Sequence, residues 1–163
     1  MRRVRRASSA EVLQTLCESL DQLKLSIDTM HLTAGDVTGL LANLRYRLEP
    51  RLAGAGIALA WDVEMVAPVE RLDVAAMRHL QYMVFESISN VLQHARATRL
   101  RVVVKPRGQA VVVRIEDDGI GFDAARPPHN GLRMLRERAW AIGAVLDVRS
   151  GEHGSAVEFE LAS

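Results

Sequence analysis

The segment from Asp73 to Ala97 contains neither proline nor glycine, so it can fold as one uninterrupted helix. Its apolar side chains recur at helical spacing and fall on a single stripe, formed by Met77, Leu80, Val84, Ile88, Val91 and Ala95. A long helix with one apolar face needs a second layer to cover that face. We therefore expect this helix to pack on a sheet.

A polar row follows the opposite face of the same helix, at Glu86, Asn90, Gln93 and His94. An exposed helix usually carries pairs of lysine and glutamate, whereas this row contains no lysine. Carboxylate, amide and imidazole groups suit a hydrated magnesium ion and phosphate oxygens. The alternative is an ordinary polar face in contact with water.

The apolar run Ala110–Ile115 predicts a strand that leads into Asp117 and a turn with glycines at positions 119 and 121. Glycine allows positive φ and a close approach of a ligand, and the Asp117 carboxylate can accept a hydrogen bond from an amino group such as that of adenine. The alternative is a plain hairpin turn, for which Asp-Gly is common.

Gly131 precedes a predicted helix over residues 132–142 that Gly143 closes. The first N–H groups of such a helix are available to a phosphate, although an ordinary loop and cap would have the same pattern. Residues 145–150 and 156–161 alternate like strands and predict a closing hairpin.

Taken in order, these segments resemble the catalytic ATP-binding domain of sensor histidine kinases, which has the Bergerat fold of gyrase-type ATPases and MutL proteins. Residues 85–95 resemble the N box of that family, and residues 117–122 its first glycine box. Residues 131–139 resemble the second glycine box, in the form typical of kinases paired with helix-turn-helix response regulators. The resemblance implies an α+β fold, a two-layer sandwich with a mixed sheet covered on one face by helices. We expect the catalytic domain over 51–163 and an N-terminal helical extension over 1–50.

The resemblance also implies roles at the phosphate end of an ATP site. Asn90 would ligate Mg²⁺, Glu86 would orient or deprotonate the attacking group, and His94 would contact the phosphates. Gly131 and Leu132 would border the phosphates on a mobile lid.

At the adenine end, the resemblance implies that Asp117 accepts a hydrogen bond from the amino group, with Ser155 supporting the carboxylate. Gly119 and Gly121 would shape the floor of the pocket.

Two features depart from the family pattern. Gln93 stands where lysine or arginine is common, so one positive charge near the triphosphate is missing and weaker ATP binding is expected. The lid segment 123–130 is short, and we expect limited closure over the nucleotide.

The first fifty residues predict two amphipathic helices. The first has an apolar stripe at Val12, Leu13, Leu16, Leu20, Leu23 and Ile27, and the second runs from Asp36 to Leu48 and is ended by Pro50. Two exposed apolar stripes predict a homodimer or a helical bundle.

The predicted function is an ATP·Mg²⁺-binding protein histidine kinase that phosphorylates a histidine supplied by another segment or chain, with a histidine-bearing dimerisation helix and a response regulator as partners. No phosphoacceptor histidine is recognised here, and His31 is interpreted as a loop residue, so we expect a fragment or a stand-alone catalytic portion. The alternative is a nucleotide-binding pseudokinase or dimerisation adaptor without phosphotransfer. A serine kinase of the anti-sigma class fits the second glycine box less well.

Composition limits the other function classes. The net charge of +1 predicts no strong attraction to nucleic acid or to a membrane surface. No apolar run approaches the roughly 20 residues that cross a bilayer, so we expect no direct membrane contact, although a parent protein can still be membrane-anchored. Cys17 is the single cysteine, which excludes an internal disulfide and fits a reducing cytoplasm.

Overall fold

The structure of the protein, a computed structural model, describes residues 8–28, 31–94, 96–121 and 130–163. By compactness the chain divides into two units, Met1–Leu32 and Thr33–Ser163. In chain order the elements are α1 Ser9–Asp28, α2 Val37–Gly54, β1 Ala58–Val63, α3 Val74–His94, β2 Arg99–Arg107, β3 Ala110–Asp117, α4 Asn130–Ala141, β4 Val145–Gly151 and β5 Gly154–Ala162. Among the helices of the described ranges, none combines the length and the apolar composition of a membrane span.

Helix α1 belongs to the first unit and begins with a reciprocal cap. The Glu11 backbone N–H donates to Ser8 Oγ at 3.2 Å, and the Ser8 N–H donates to the Glu11 carboxylate at 2.6 Å. The apolar stripe of α1 is exposed, with Leu13 63% and Leu16 54% accessible. Cys17 is also exposed and is a free thiol.

Helix α2 belongs to the second unit, and its apolar stripe is buried there. The Asp36 carboxylate caps the helix by accepting from the Gly39 N–H at 2.9 Å. The buried stripe consists of Val37, Leu40, Leu41, Leu44, Leu48 and Leu52. Helix α2 packs on α3 and β1 within the compact unit Thr33–Ser163, and the division into a catalytic domain over 51–163 and an extension over 1–50 stays a prediction. Of the two predicted apolar stripes, only that of α1 is exposed.

The prediction that Pro50 ends the second helix is wrong, since α2 continues through Pro50 to Gly54. An interior proline has no N–H to donate to the preceding turn and costs about 3 kcal/mol. Leu48 and Leu52 lie on either side of Pro50 and are 2% and 1% accessible. Burying each contributes about 1.5–3 kcal/mol, so packing offsets the cost of the proline.

The second unit contains a five-stranded sheet in the order β1-β2-β3-β5-β4. Strands β1 and β2 are parallel and the other pairs are antiparallel, so the sheet is mixed. Cross-strand neighbours on one face, such as Val104, Val113 and Phe159, are fully buried, and α2, α3 and α4 all pack against the sheet. The predicted two-layer α+β sandwich is therefore confirmed.

The opposite face of the sheet carries a row of charged side chains. Arg114 pairs with Glu116 at 2.8 Å, and Arg107 pairs with Glu158 at 2.8 Å. Val112 alternates with Arg114 along β3 on this face and is nevertheless 0% accessible.

Helix α3 buries its predicted stripe against the sheet, with Met77, Leu80 and Val84 all 0% accessible. Helix α4 packs beside it through Arg138, whose guanidinium lies 3.9 Å from the centre of the Tyr82 ring. Arg138 Nη1 also lies 3.1 Å from His79 Nδ1, and burial followed by the Arg138 charge lowers the pKa of His79. A neutral His79 can accept a hydrogen bond from Arg138 Nη1 at Nδ1, and this contact joins α4 to α3.

Candidate nucleotide site

The Asp117 carboxylate is held at the end of β3 by two hydrogen bonds. The Gly119 N–H donates to Asp117 Oδ1 at 2.8 Å, and Ser155 Oγ donates to Asp117 Oδ2. Ser155 lies directly opposite Asp117 in the register of β3 and β5. Each carboxylate oxygen has a further lone pair, so the side chain is a fixed, half-buried acceptor for one more donor.

Glycines allow the backbone around Asp117 to pack closely. A Cβ on Gly154 would lie 1.9 Å from the Asp117 carbonyl oxygen. A Cβ on Gly121, which has a φ of +70°, would lie 2.3 Å from the Gly151 carbonyl oxygen. The turn after Asp117 thus packs directly against the β4–β5 hairpin, and a side chain at either glycine would force the turn and the hairpin apart. Gly119 is buried in the same turn.

The polar row of α3 meets the first turn of α4. Glu86 and Asn90 are half-buried, whereas Gln93 is exposed. A Cβ on Gly131 would lie 2.6 Å from Glu86 Oε1 and 3.7 Å from Asn90 Nδ2. Because Gly131 has no side chain, the N-terminus of α4 lies directly against Glu86 and Asn90. The N–H groups of this first turn have no partner inside the helix.

The remaining predicted residues at this end are only partly described. Leu132 is half-buried in the first turn of α4. His94 is the last residue of α3, but its imidazole, like residues 123–129 of the predicted lid, lies outside what the structure describes. The proposed contact of His94 with phosphates stays a prediction.

The turn after Asp117 is hydrogen-bonded to the segment that follows α3. Thr98 follows the end of α3 by four residues and donates its N–H to the Asp118 carboxylate at 2.8 Å. Leu100 then pairs with Asp117 across β2 and β3. Four residues span at most about 14 Å, so the C-terminal end of α3 lies within that distance of Thr98, which contacts the turn after Asp117. A single cavity lined by Asn90 and Asp117 stays a prediction.

Replacing Gly131 with alanine is expected to reduce the phosphotransfer that the sequence predicts by about tenfold or more, while changing the free energy of unfolding by less than about 1 kcal/mol. The new methyl group would displace the Glu86 carboxylate, whose flexible end can move at low cost, and alanine favours the helix. Thermal denaturation and a phosphotransfer assay measure the two effects. The control is Gly54→Ala, because no atom lies within 4 Å of its added Cβ. Equal transfer rates in the two variants would contradict the assignment of Glu86.

Comparisons with known proteins identify the family. Residues 75–162 match the family described as histidine kinase-, DNA gyrase B-, and HSP90-like ATPase. The nitrate/nitrite sensor protein NarQ of Escherichia coli is 31% identical over 141 residues, which cover 84% of this chain and 24% of NarQ. The sensor histidine kinase LiaS of Bacillus subtilis is 30% identical over 107 residues, which cover 64% of this chain and 28% of LiaS.

Among solved structures, full-length ShkA in complex with AMPPNP superposes with a TM-score of 0.66 at 20% identity, over 96% of this chain and 39% of ShkA. The chain thus belongs to the histidine kinase-, DNA gyrase B- and HSP90-like ATPase family, and it matches the ATPase portion of sensor histidine kinases. It spans about a quarter of the length of the curated relatives NarQ and LiaS, at 24% and 28%.

Sequence reasoning did not single out the contacts of Asp118 with Thr98 and Arg99, nor the packing of Gly121 on Gly151. The acidic pair Asp117-Asp118 was a visible signal that the turn uses two carboxylates. The packing of Gly121 on Gly151 depends on how the β4–β5 hairpin folds back on the turn, which no local pattern specifies.

Proposed function

We propose that this chain is the catalytic portion of a two-component sensor histidine kinase, which binds ATP·Mg²⁺ and transfers the γ-phosphoryl group to a histidine on another segment or chain. The observation that carries the proposal is the Asp117 carboxylate, held by Ser155 and Gly119 with acceptor capacity to spare. The adenine amino group supplies the donor that such a carboxylate lacks. AMPPNP, the ligand of ShkA, is an ATP analogue.

The residues at the N-terminus of α4 fit a hydrated Mg²⁺ ion and phosphates. Mg²⁺ takes few protein oxygens and retains several waters, so the Asn90 side-chain oxygen, phosphate oxygens and water suffice to hold it. Within the described ranges no group of three histidine, cysteine, aspartate or glutamate residues is gathered as a metal cluster. A bound Mg²⁺ would neutralise charge on the phosphates during transfer.

The chain's own groups would then position the reactants. The N–H groups of the first turn of α4, near Gly131 and Leu132, would bind phosphate oxygens. The Glu86 carboxylate, which lies beside that turn, would accept a hydrogen bond from the incoming histidine and orient its ring nitrogen toward the γ-phosphorus. Phosphoryl transfer demands positioning and charge neutralisation more than covalent chemistry from the protein.

The partners follow from this activity and are part of the proposal. A histidine-bearing helix would receive the phosphoryl group and a response regulator would take it on in the cytoplasm. The exposed stripe of α1 would pair two chains in a homodimer, since Leu13, Leu16, Leu20 and Leu23 follow the three-four spacing of a coiled-coil seam.

The test mixes this chain with a histidine-bearing dimerisation helix of a related kinase and ATP labelled at the γ-phosphate. Acid-labile label on the helix, dependent on Mg²⁺, supports the kinase. If the chain binds nucleotide but labels none of the helices from several relatives, the alternative of a pseudokinase or dimerisation adaptor is favoured. Gln93 in the polar row suggests that alternative. Label on serine would favour the anti-sigma type.

A further inference from the structure

The Asp118 carboxylate forms a latch between two parts of the second unit. Asp118 Oδ1 accepts from the Thr98 N–H at 2.8 Å and from the Arg99 N–H at 2.9 Å. Asp118 Oδ2 accepts from Thr98 Oγ1 at 2.6 Å. The hydrogen bond from the Thr98 hydroxyl, followed by that from the Arg99 N–H, lowers the pKa of Asp118 to about 2. The carboxylate is therefore ionised at neutral pH although it is exposed to water.

The latch joins the segment after α3 to the turn after β3. The pairing of β2 with β3 ends at the pair formed by Leu100 and Asp117. Beyond that pair, the Asp118 N–H lies 3.4 Å from the Arg99 carbonyl oxygen. The side chain of Asp118 adds three shorter bonds beyond that point. Because Asp118 stands between Asp117 and Gly119, holding it also fixes the peptide whose N–H orients the Asp117 carboxylate.

Thr98 and Arg99 connect α3, which carries Glu86 and Asn90, to β2. A shift of Asp118 would therefore change the position of the Asp117 turn relative to the end of α3. Small displacements of this kind are costly at a site that must present a hydrogen-bond acceptor to a ligand within a few tenths of an ångström.

We propose that Asp118 is a positioning residue for base recognition: its latch to Thr98 and Arg99 holds the Asp117 carboxylate at the place where it reads the amino group of adenine. This inference rests on the proposed function. Asp118 itself does not touch the nucleotide, because both its oxygens are directed to Thr98 and Arg99.

The experiment compares the affinities of ADP and IDP, which differ in the group at position 6 of the base. ADP offers an amino donor to Asp117, whereas IDP offers a carbonyl oxygen that the carboxylate repels. In the unmodified protein we expect ADP to bind at least about tenfold more tightly. Asp118→Ala should weaken ADP binding by about tenfold and IDP binding by less than about twofold, so the preference for ADP is lost.

A conservative variant distinguishes positioning from loss of folding. In Asp118→Asn the amide oxygen can still accept from both N–H groups, and the amide nitrogen can donate to the Thr98 hydroxyl, so most of the preference should return. Thr98→Val removes only the hydroxyl contact and Thr98→Ser keeps it, which gives a second matched pair if Asp118→Ala does not fold. An unchanged ADP preference in Asp118→Ala, or in Thr98→Val in its place, would overturn the inference. Failure of the unmodified protein to bind ADP would instead remove the proposed function, and this inference with it.

Discussion

Replacing Glu86 with glutamine is expected to reduce phosphoryl transfer to a histidine helix by about 10²- to 10⁴-fold, the usual contribution of a positioned acid or base. Glutamine has nearly the same shape as glutamate and can occupy the same space beside Gly131. That space is narrow, because a Cβ added to Gly131 would lie 2.6 Å from Glu86 Oε1. It carries no negative charge and is a poor proton acceptor. The affinity for AMPPNP, measured by calorimetry, should change by less than about threefold, because Glu86 acts on the histidine and not on the nucleotide.

The matched control is Glu137→Gln on α4. Glu137 pairs with Arg133 at 3.0 Å on an exposed helix face, so its loss should leave both transfer and binding close to those of the unmodified protein. The measurement is the initial rate at which label passes from saturating ATP, labelled at the γ-phosphate, to the helix. If Glu86→Gln transferred phosphate at the rate of Glu137→Gln, the role proposed for Glu86 would be wrong.

Replacing Asp117 with asparagine is expected to weaken ADP and AMPPNP binding by about 10- to 100-fold, in line with the roughly 1.5–3 kcal/mol of a hydrogen bond to a charged group. Asparagine keeps one oxygen, which the Gly119 N–H or Ser155 Oγ occupies, and replaces the other by an NH₂ donor. That donor would face the adenine amino group, so an attractive contact becomes a repulsive one.

Asp147→Asn is the control for the Asp117 substitution. Asp147 lies on β4 and pairs with Arg149 at 2.8 Å, and this exposed ion pair contributes little to stability. Isothermal titration with ADP should give the same affinity for Asp147→Asn as for the unmodified protein. ADP binding that Asp117→Asn leaves intact would contradict adenine recognition by this carboxylate.

The elements with strong periodicity were predictable from the sequence. Helix α3, strand β3 and the β4–β5 hairpin follow from alternation, helical spacing and glycine turns, and the structure confirms them. Pro50 misled the prediction because a local rule was outweighed by Leu48 and Leu52, whose burial depends on the tertiary fold. Strand β2 was not singled out, although Val102, Val103 and Val104 are buried there.

The candidate site shows the same division between local and tertiary information. The residue types at positions 86, 90 and 117 suit metal, phosphate and base recognition by their chemistry, and the resemblance to sensor histidine kinases supplied the role predicted for each. The contacts that hold those side chains in place form only in the folded protein, since Gly131 approaches Glu86 only when α4 packs on α3. In the same way, Asp118 reaches Thr98 only when β3 returns beside β2. No local pattern in the chain specifies such contacts.

We propose that the Asn90 amide and the Asp117 carboxylate line one nucleotide cavity, the first beside a cation and the second beside a purine. The most direct measurement is the affinity for AMPPNP with Mg²⁺ and with a chelator, in the unmodified protein and in Asn90→Ala. We predict that Mg²⁺ strengthens binding about tenfold or more in the unmodified protein and has little effect in Asn90→Ala, which retains the Mg²⁺-independent affinity. Absence of AMPPNP binding, or the same Mg²⁺ dependence in both proteins, would contradict the account.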